Sequence, residues 1–297
     1  MSPTFILPLP VLLTATRYKA GDELIRGETI IIHTGAAARS PGVSGIESVP
    51  WLDNKGILDL SELPDHLLVI GGLEFGQAFR RFGSRVTVLE RGNRIIFRED
   101  PGISSLAQEL LEDEGLVFHL GTEILFVEKD GAEITVMYRQ GTDKKKIEGS
   151  HLLVAAGRAP AVDNLNLEAA GVQTNERGYI EVDDGRTSKK HIYALGDVNG
   201  KGAFTHTSVH DGQVFLDHYL YGGERRISDR NLIYAMYIDP PLARVGINAA
   251  EAARRGIDFL AAEMPMSAVS RAREKAETGG VMKVITDARS KTILGTR

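Results

Sequence analysis

The chain has 297 residues, 42% of them hydrophobic and 25% charged, which is enough for about two globular domains with buried cores. The formal net charge of −5 gives no reason to expect nucleic acid or an anionic membrane as a partner. No cysteine is present, which excludes disulfides, thiolate metal sites and thiol redox chemistry carried by these residues.

The chain opens on the apolar stretch MSPTFILPLPVLL, which has some features of a secretory signal. It lacks a basic start and prolines interrupt it, so we favour a strand-rich stretch over a signal. No apolar run approaches the roughly 18 to 20 residues that a membrane-spanning helix needs. We therefore expect a cytoplasmic protein.

Residues 20–36 predict a polar turn followed by a short buried strand, because the β-branched run 30–32 is stopped by Thr34 and Gly35. Residues 39–50 are interrupted by proline and glycine and predict a connector.

Residues 67–90, LLVIGGLEFGQAFRRFGSRVTVLE, predict a strand, a turn, a helix and a second strand. The helix should end at Gly83, as glycine commonly ends helices. Its apolar residues recur at helical spacing and are expected to share one packed face: Leu73, Phe75, Ala78, Phe79 and Phe82.

Such a unit can bind a dinucleotide, because glycines let the pyrophosphate approach the helix N-terminus and an acid after the second strand accepts ribose hydroxyls. Gly71 and Gly76 match the first and last glycines of that motif, but Leu73 stands where the middle one belongs. Glu90 is the candidate acid, and a solvated acid at a strand end is the alternative. Arg91 could instead meet a 2′-phosphate.

Residues 102–115 predict a second helix, residues 116–120 a third strand, and residues 123–148 an antiparallel set with turns at 130–131 and 141–142. The lysines at 144–146 fit a solvated hairpin tip better than a binding patch. A further strand, 151–157, completes an order that predicts a doubly wound α/β domain.

From residue 192 the pattern restarts with a strand, a glycine–aspartate turn and a helix over 205–222, and the tail is expected to form a third unit. Asp197 follows Gly196 at a strand end, where a carboxylate can bind a ligand hydroxyl; the alternative is that it caps the following turn. His206 and His210 lie four residues apart, but without a third ligand we favour packing or surface histidines over a metal site.

Five motifs in order resemble those of the flavoprotein disulfide reductase family, which includes dihydrolipoamide dehydrogenase, glutathione reductase and mercuric reductase. They are IIIHTGA, LLVIGG with LEFGQAFRRFGSRVTVLERG, VAAGRAP, GYIEVDD with HIYALGDV, and DPPLARVG. The resemblance runs from about residue 25 to the end and is closest to the mercuric-reductase-like branch. It implies an α/β fold of doubly wound, three-layer nucleotide-binding domains, with the start of an α+β dimerisation domain.

The resemblance also implies a division into four segments. Residues 1–65 would end the first FAD segment and the connector, and 66–158 would form the NAD(P)-binding domain. Residues 159–229 would form the second FAD segment, and 230–297 part of the dimerisation domain.

The same resemblance implies roles for individual residues toward FAD and NAD(P)H. Asp197, presented by Gly196, matches the aspartate that binds the ribityl chain of the flavin. Thr34 and Gly35 match a loop near the FAD adenosine. Gly157, with Arg158 beside it, matches a glycine that lines the nicotinamide nucleotide.

One departure from the family concerns the first glycine turn. Relatives would read VIGGGYIGLEF where this chain reads VIGGLEF, so four residues are absent between Gly72 and Leu73. Gly71, Gly72 and Glu74 remain candidate cofactor contacts, whereas Gly76 becomes a helix residue. Because four residues are close to one turn of 3.6, the helix is expected to survive in phase, but without a phosphate cradle.

The family's redox cysteines and its C-terminal histidine segment have no match in these residues, so we expect an incomplete polypeptide. The expected function is an FAD-dependent, NAD(P)H-linked oxidoreductase that passes hydride from nicotinamide to flavin and on to a disulfide, a metal ion or a similar small acceptor. The alternatives are a non-catalytic nucleotide-binding or assembly fragment, and a flavin electron carrier without disulfide chemistry. The complete protein is expected to be a homodimer. It is also expected to favour NADH, because the Glu90 carboxylate would repel the 2′-phosphate of NADPH.

Overall fold

A computed structural model describes residues 11–297, so most of the predicted apolar opening lies outside the described residues. The strands are β1 Val11–Thr14, β2 Arg17–Ala20, β3 Glu23–Arg26, β4 Ile30–Ile32, β5 Ala36–Ala38, β6 His66–Ile70, β7 Arg85–Leu89, β8 Val117–His119, β9 Thr122–Asp130, β10 Glu133–Gln140, β11 Asp143–Gly149, β12 His151–Val154, β13 Arg158–Pro160, β14 Ile192–Ala194, β15 Ile233–Met236, β16 Leu242–Gly246, β17 Phe259–Pro265, β18 Val281–Asp287 and β19 Ile293–Thr296. The α-helices are α1 Glu74–Phe82, α2 Pro101–Asp113, α3 Leu167–Ala170, α4 Thr205–Tyr221, α5 Ala249–Arg254 and α6 Ser270–Glu274. Short 3₁₀ helices lie at Ile46–Ser48, Gly196–Asn199, Ile227–Asp229 and Met266–Ala268.

The chain forms two compact units, each made of two stretches of sequence. Of the described residues, the first unit joins 11–37 to 158–230, and the second joins 38–157 to 231–297. These two units group the chain by contacts and do not test the four-segment division that the resemblance implies, which stays a prediction.

The second unit contains the predicted doubly wound domain, a parallel sheet with strand order β12-β6-β7-β8. Alternate residues of β6 enter different cores, as the period of two in a strand requires. Leu67 and Val69 pack with residues of α1 and α2, whereas Leu68 and Ile70 pack with residues of β9 and β10. Helices therefore cover one face of the sheet and the antiparallel β9–β11 sheet covers the other, which confirms the predicted three layers.

Helix α1 ends where predicted, with Gly83 in the left-handed conformation at φ 116°. Its packed face differs from the prediction, because the side chain of Phe82 is 68% exposed. The helix approaches the sheet through Gly76, where an added Cβ would lie 3.6 to 3.8 Å from side chains of neighbouring strands and loops. Position 82 lies about 120° around the helix from that contact, at roughly 100° per residue, and so faces away from the sheet.

The tail of the second unit forms a separate antiparallel sheet with strand order β15-β16-β19-β18-β17. In the first unit, β4 and β14 form a parallel pair and β1–β3 form an antiparallel sheet. The core of the first unit includes Ile30, Ile32, Ile180 and Ile192. Within residues 11–297, no helix combines the length and the apolar character needed to cross a membrane.

Candidate functional site

The first unit presents one candidate site, at the carboxyl ends of β4 and β14. These strands run parallel, with Ile192 opposite Ile30, and the Leu195 amide extends the pairing by donating to the Ile32 carbonyl at 3.0 Å. Parallel strands end at the same edge of a sheet, where open α/β sheets bind ligands. The edge therefore brings residues 33–35 beside Gly196 and Asp197.

The turn after β14 requires glycine at position 196. Gly196 has φ +72°, a conformation that L-residues rarely adopt. An added Cβ would lie 2.5 Å from Ser208 Oγ and 2.8 Å from His33 Nε2, and those two atoms are themselves 2.8 Å apart. Only glycine lets the chain turn here while the His33–Ser208 hydrogen bond closes over it.

Asp197 presents its carboxylate at this edge. The side chain is 21% exposed, and its Oδ2 lies 3.7 Å from Arg158 Nε, the one charged group that pairs with it within residues 11–297. It lies inside the 3₁₀ turn, whose N-cap is Leu195, and its side chain caps no backbone amide of that turn. The carboxylate therefore keeps acceptor capacity for ligand hydroxyls, which favours the ligand role over the capping role.

The other predicted residues of this edge also lie in the first unit. Thr34 is exposed, and Gly35 has φ +72° with open space where a Cβ would be. The Gly35 carbonyl accepts the Ala161 amide at 3.0 Å, and the Arg158 guanidinium donates to the Ala36 carbonyl. The structure thus places Thr34, Gly35, Arg158, Gly196 and Asp197 in one unit. The resemblance set Arg158 beside Gly157 and the nicotinamide nucleotide, whereas here its guanidinium lies beside Asp197 and the Ala36 carbonyl.

Asp211 behind this turn was missed by the sequence reading, although α4 carried a signal for it. The buried residues of α4 are Thr207, Asp211, Val214 and Phe215, at the spacing of one helix face. A charged residue on the packed face of an amphipathic helix is expected only where a specific partner receives it.

The second unit presents the other predicted group of residues, at the carboxyl edge of β6 and β7. Gly71 and Gly72 both have positive φ, and the Gly71 amide donates to the Leu89 carbonyl at 3.2 Å. An added Cβ at Gly72 would lie 2.5 Å from Ala155 Cβ, and one at Gly71 would lie 3.1 Å from the Ala155 carbonyl oxygen. Both glycines are required because the turn passes directly against the end of β12.

Glu90 lies at the same edge, immediately after β7. Its Oε1 accepts the Gly92 amide at 2.7 Å, and no protein donor within the described residues takes its other oxygen. The neighbouring Arg91 is exposed. The backbone amide of Glu90 donates to the His119 carbonyl at 2.9 Å, which fixes the chain at this edge.

Glu74 is the first residue of α1 and is directed to the tail of the second unit. Its Oε1 accepts the Tyr237 amide at 2.7 Å. A carboxylate in the first turn opposes anion binding at a helix N-terminus, since both occupy the same positive end of the helix dipole.

A dinucleotide therefore finds a partial fit at this edge. The open oxygen of Glu90 could accept a ribose hydroxyl, and its role stays a prediction. The pyrophosphate has no cradle, because Gly71 and Gly72 pack on Ala155 and the first turn of α1 carries Glu74.

Gly157 also lies in the second unit, two residues after Ala155. It has φ +120° with open space where a Cβ would be, and its carbonyl accepts the Arg39 amide at 3.1 Å. Glycine is thus needed for the backbone angle and not for a close approach. Gly71, Gly72, Glu74, Glu90 and Gly157 form the second predicted group.

No group of three or more histidine, aspartate or glutamate side chains within residues 11–297 could hold a metal ion. The exposed His206 stacks on Phe204, with ring centroids 5.3 Å apart.

Comparisons with known proteins match most of this chain to one family. Residues 11–212 match the family model of the pyridine nucleotide-disulphide oxidoreductases, and residues 233–297 match the dimerisation domain of the same family. The oxidoreductase RclA of Escherichia coli (strain K12) is 36% identical over 282 residues, which cover 93% of this chain and 63% of RclA. A mercuric reductase of Lysinibacillus sphaericus is 34% identical over 277 residues, which cover 91% of this chain and 50% of that enzyme.

A solved structure, the HOCl-induced flavoprotein disulfide reductase RclA from Escherichia coli, has a TM-score of 0.90 and 33% identity. The match covers 97% of this chain and 67% of that one. The chain thus spans one half to two thirds of the length of these relatives.

Proposed function

The chain belongs to the pyridine nucleotide-disulphide oxidoreductase family. From that premise we propose that it acts as an FAD-dependent, NAD(P)H-linked oxidoreductase. When bound, FAD supplies the centre that takes hydride from the nicotinamide and passes electrons on. The acceptor would be a disulfide, a metal ion or a similar small oxidant.

The observation that carries this proposal is the carboxylate of Asp197. It stands at the carboxyl edge of a parallel strand pair, on a turn that only glycine permits, with Arg158 as its one charged partner within the described residues. An acceptor with free capacity at such an edge suits the hydroxyl groups of a flavin's ribityl chain. We propose that Gly196, Thr34 and Gly35 bind the same cofactor.

The pyridine nucleotide would use the edge of the second unit. We propose that Glu90 accepts a ribose hydroxyl and that the turns of Gly71, Gly72 and Gly157 lie along the nucleotide without enclosing its pyrophosphate. A 2′-phosphate would face the Glu90 carboxylate, which supports a preference for NADH over NADPH. Because the chain belongs to this family, we also propose the four-segment domain division that the family resemblance implies.

The test is FAD binding by the purified chain, with the dissociation constant measured from the quenching of FAD fluorescence. Asp197→Asn should weaken FAD binding by about tenfold, because hydrogen bonds to a charged acceptor are lost. Asp163→Asn, at an exposed aspartate of the same unit, is the matched control and should change nothing. Equal affinity in the two variants would remove the support for the flavin role of Asp197.

One observation favours a second candidate, a flavin electron carrier without disulfide chemistry. The 297 residues contain no cysteine, and a disulfide reductase of this kind needs a thiolate to attack its substrate. We expect NADH-dependent reduction of a dye but no turnover of a disulfide above a free-flavin control. Disulfide turnover by this chain would reject the second candidate.

The assembly is proposed to be a cytoplasmic homodimer. The match to a dimerisation domain over residues 233–297 supports the dimer. The sheet formed by this stretch also carries exposed apolar side chains: Ile233, Val245, Leu260, Met264, Met282 and Ile293. We expect concentration-dependent association in light scattering, and a stable monomer would count against the dimer.

A further inference from the structure

The turn that presents Asp197 is held from behind by a buried carboxylate, Asp211 of α4. Asp211 is 1% exposed. Its Oδ2 accepts the Gly196 amide at 2.9 Å and the Asn199 side-chain amide at 2.8 Å. Gly196 and Asn199 are the first and last residues of the 3₁₀ turn, so one carboxylate oxygen spans the whole turn.

The other oxygen of Asp211 pairs with Arg230, whose side chain is 14% exposed. Arg230 Nη1 lies 2.8 Å from Asp211 Oδ1, and the guanidinium also donates to the carbonyls of Thr207 at 3.0 Å and Lys201 at 2.8 Å. A buried carboxylate is tolerated where a partner charge and hydrogen bonds compensate its desolvation. Protein donors fill both oxygens of Asp211, so it has no role as a direct ligand contact.

Two aspartates of opposite exposure therefore serve one turn. Asp197 faces the sheet edge with free acceptor capacity, whereas Asp211 faces the interior and fixes the backbone that carries Asp197. A ligand-binding carboxylate needs such support, since displacement of roughly 0.5 Å already weakens a site built on directed hydrogen bonds.

We propose that Asp211 and Arg230 are positioning residues that set the affinity for the flavin through Asp197 without contacting the cofactor. The inference rests on the proposed function, because it takes FAD as the ligand of Asp197. Loss of either residue should lower FAD affinity by letting the turn relax, while the core of the first unit persists.

The first measurement is the FAD dissociation constant of the full chain, with a thermal melt in the absence of FAD. Asp211→Asn should weaken FAD binding by about tenfold, because the amide cannot accept all three hydrogen bonds at full strength. Asp184→Asn is the matched control. Asp184 accepts the Ile227 amide at 2.9 Å in the same unit but makes no bond to the turn, so affinity should change by less than about twofold.

The second measurement separates positioning from general destabilisation. In an Asp197→Asn background, Asp211→Asn should cost less than about a further twofold, because residues that act through one another are not additive. Arg230→Lys is the second variant if Asp211→Asn fails to fold. It keeps the positive charge beside Asp211 but not the geometry that reaches Thr207 and Lys201, so affinity should fall about threefold.

The outcomes distinguish this inference from the proposed function. If the unaltered chain binds no FAD, both are overturned. If Asp197→Asn weakens FAD binding while Asp211→Asn and Arg230→Lys bind like the unaltered chain, the positioning role alone is overturned. Fully additive losses in the double variant would also overturn it, because Asp211 would then act on binding independently of Asp197.

Discussion

The two sheet edges share the same plan, yet they are prepared for ligands to different degrees. Each has parallel strands, a glycine turn and a carboxylate at the carboxyl ends. In the first unit the carboxylate of Asp197 faces outward while Asp211 occupies the space behind its turn. In the second unit the turn of Gly71 and Gly72 packs directly on Ala155.

This difference shows that a glycine turn is not by itself a binding site. Gly196 leaves room for the side chains of His33 and Ser208, and the turn still presents an acceptor. Gly72 leaves room for Ala155 of its own unit, and the helix that follows starts with an acid. The same residue type therefore permits an outward carboxylate at one edge and close packing at the other.

The strongest test of this contrast is Gly72→Ala. The added Cβ would lie 2.5 Å from Ala155 Cβ at a residue with φ +74°, so the second unit should lose roughly 2 to 5 kcal/mol of stability. Trp51 is the single tryptophan of the chain and packs in the second unit, so denaturant unfolding followed by its fluorescence measures this loss.

Two further variants show whether packing is the cause. Gly131→Ala, at φ +60° with open space around it, should cost only about 1 kcal/mol from the backbone conformation. Adding Ala155→Gly to Gly72→Ala should recover the steric part. If Gly72→Ala and Gly131→Ala cost the same, the close approach to Ala155 is not what requires glycine.

The next prediction concerns the polar support of α1, the counterpart of Asp211 in the second unit. Gln77 is 3% exposed, and its amide both donates to and accepts from the backbone of Asp239 at 2.7 Å. Gln77→Leu should cost about 1 to 3 kcal/mol, because the Asp239 amide is left without its acceptor. Trp51 fluorescence should report the loss, while FAD binding stays unchanged.

Gln108→Leu is its matched control. Gln108 lies on α2 and bonds to Glu112 one turn away, so its replacement should change stability by less than about 0.5 kcal/mol. A Gln77 variant that also lost FAD binding would contradict the separate roles of the two edges.

Periodicity and turn residues predicted the order of strands and helices well, because local patterns determine them. The strand at β6, the stop at Gly83 and the hairpins of β9–β11 agree with the structure. The exposure of Phe82 was not predictable from apolar spacing, since the approach of Gly76 to the sheet rotates the packed face.

The candidate sites were predictable only in part. Asp197 and Glu90 could be proposed from their places after strands. The partners Arg230 and Ala155 lie 19 and 83 residues along the chain from Asp211 and Gly72, and no local pattern links them. Whether a glycine turn is open or filled is decided by such distant contacts.

A pH dependence should appear in the stability of the second unit. Burial, and then the nearby Arg85 charge, lower the pKa of His66 below 6.5, and burial lowers that of His119. Near pH 6.5 these two histidines therefore take up protons more readily in the unfolded chain than in the folded one. Because proton uptake then favours unfolding, the free energy of unfolding is largest above pH 6.5 and falls as the pH drops toward the folded pKa values. The Trp51-detected free energy of unfolding should decrease between pH 7 and 5.5.

The double variant His66→Gln/His119→Gln tests this origin. The free energy of unfolding of this variant should change less between pH 7 and 5.5 than that of the unaltered chain. Above pH 8, where histidine is uncharged in both states, the difference between the two proteins should no longer depend on pH. Parallel pH curves for the two proteins would assign the dependence to other groups.

The smallest expected effect is on the choice of nucleotide at the second edge. Glu90 has one oxygen taken by the Gly92 amide and, within the described residues, one without a protein donor. The open oxygen can accept a ribose hydroxyl of NADH but would repel the 2′-phosphate of NADPH. Because the site is partly exposed and lacks a pyrophosphate cradle, Glu90→Ala should lower the NADH preference by only about threefold.

The measurement is the ratio of the dissociation constants for NADPH and NADH, obtained from nicotinamide fluorescence. Glu109→Ala, at an exposed glutamate, is the control. A ratio unchanged by Glu90→Ala would mean that this carboxylate serves the Gly92 turn and does not read the ribose.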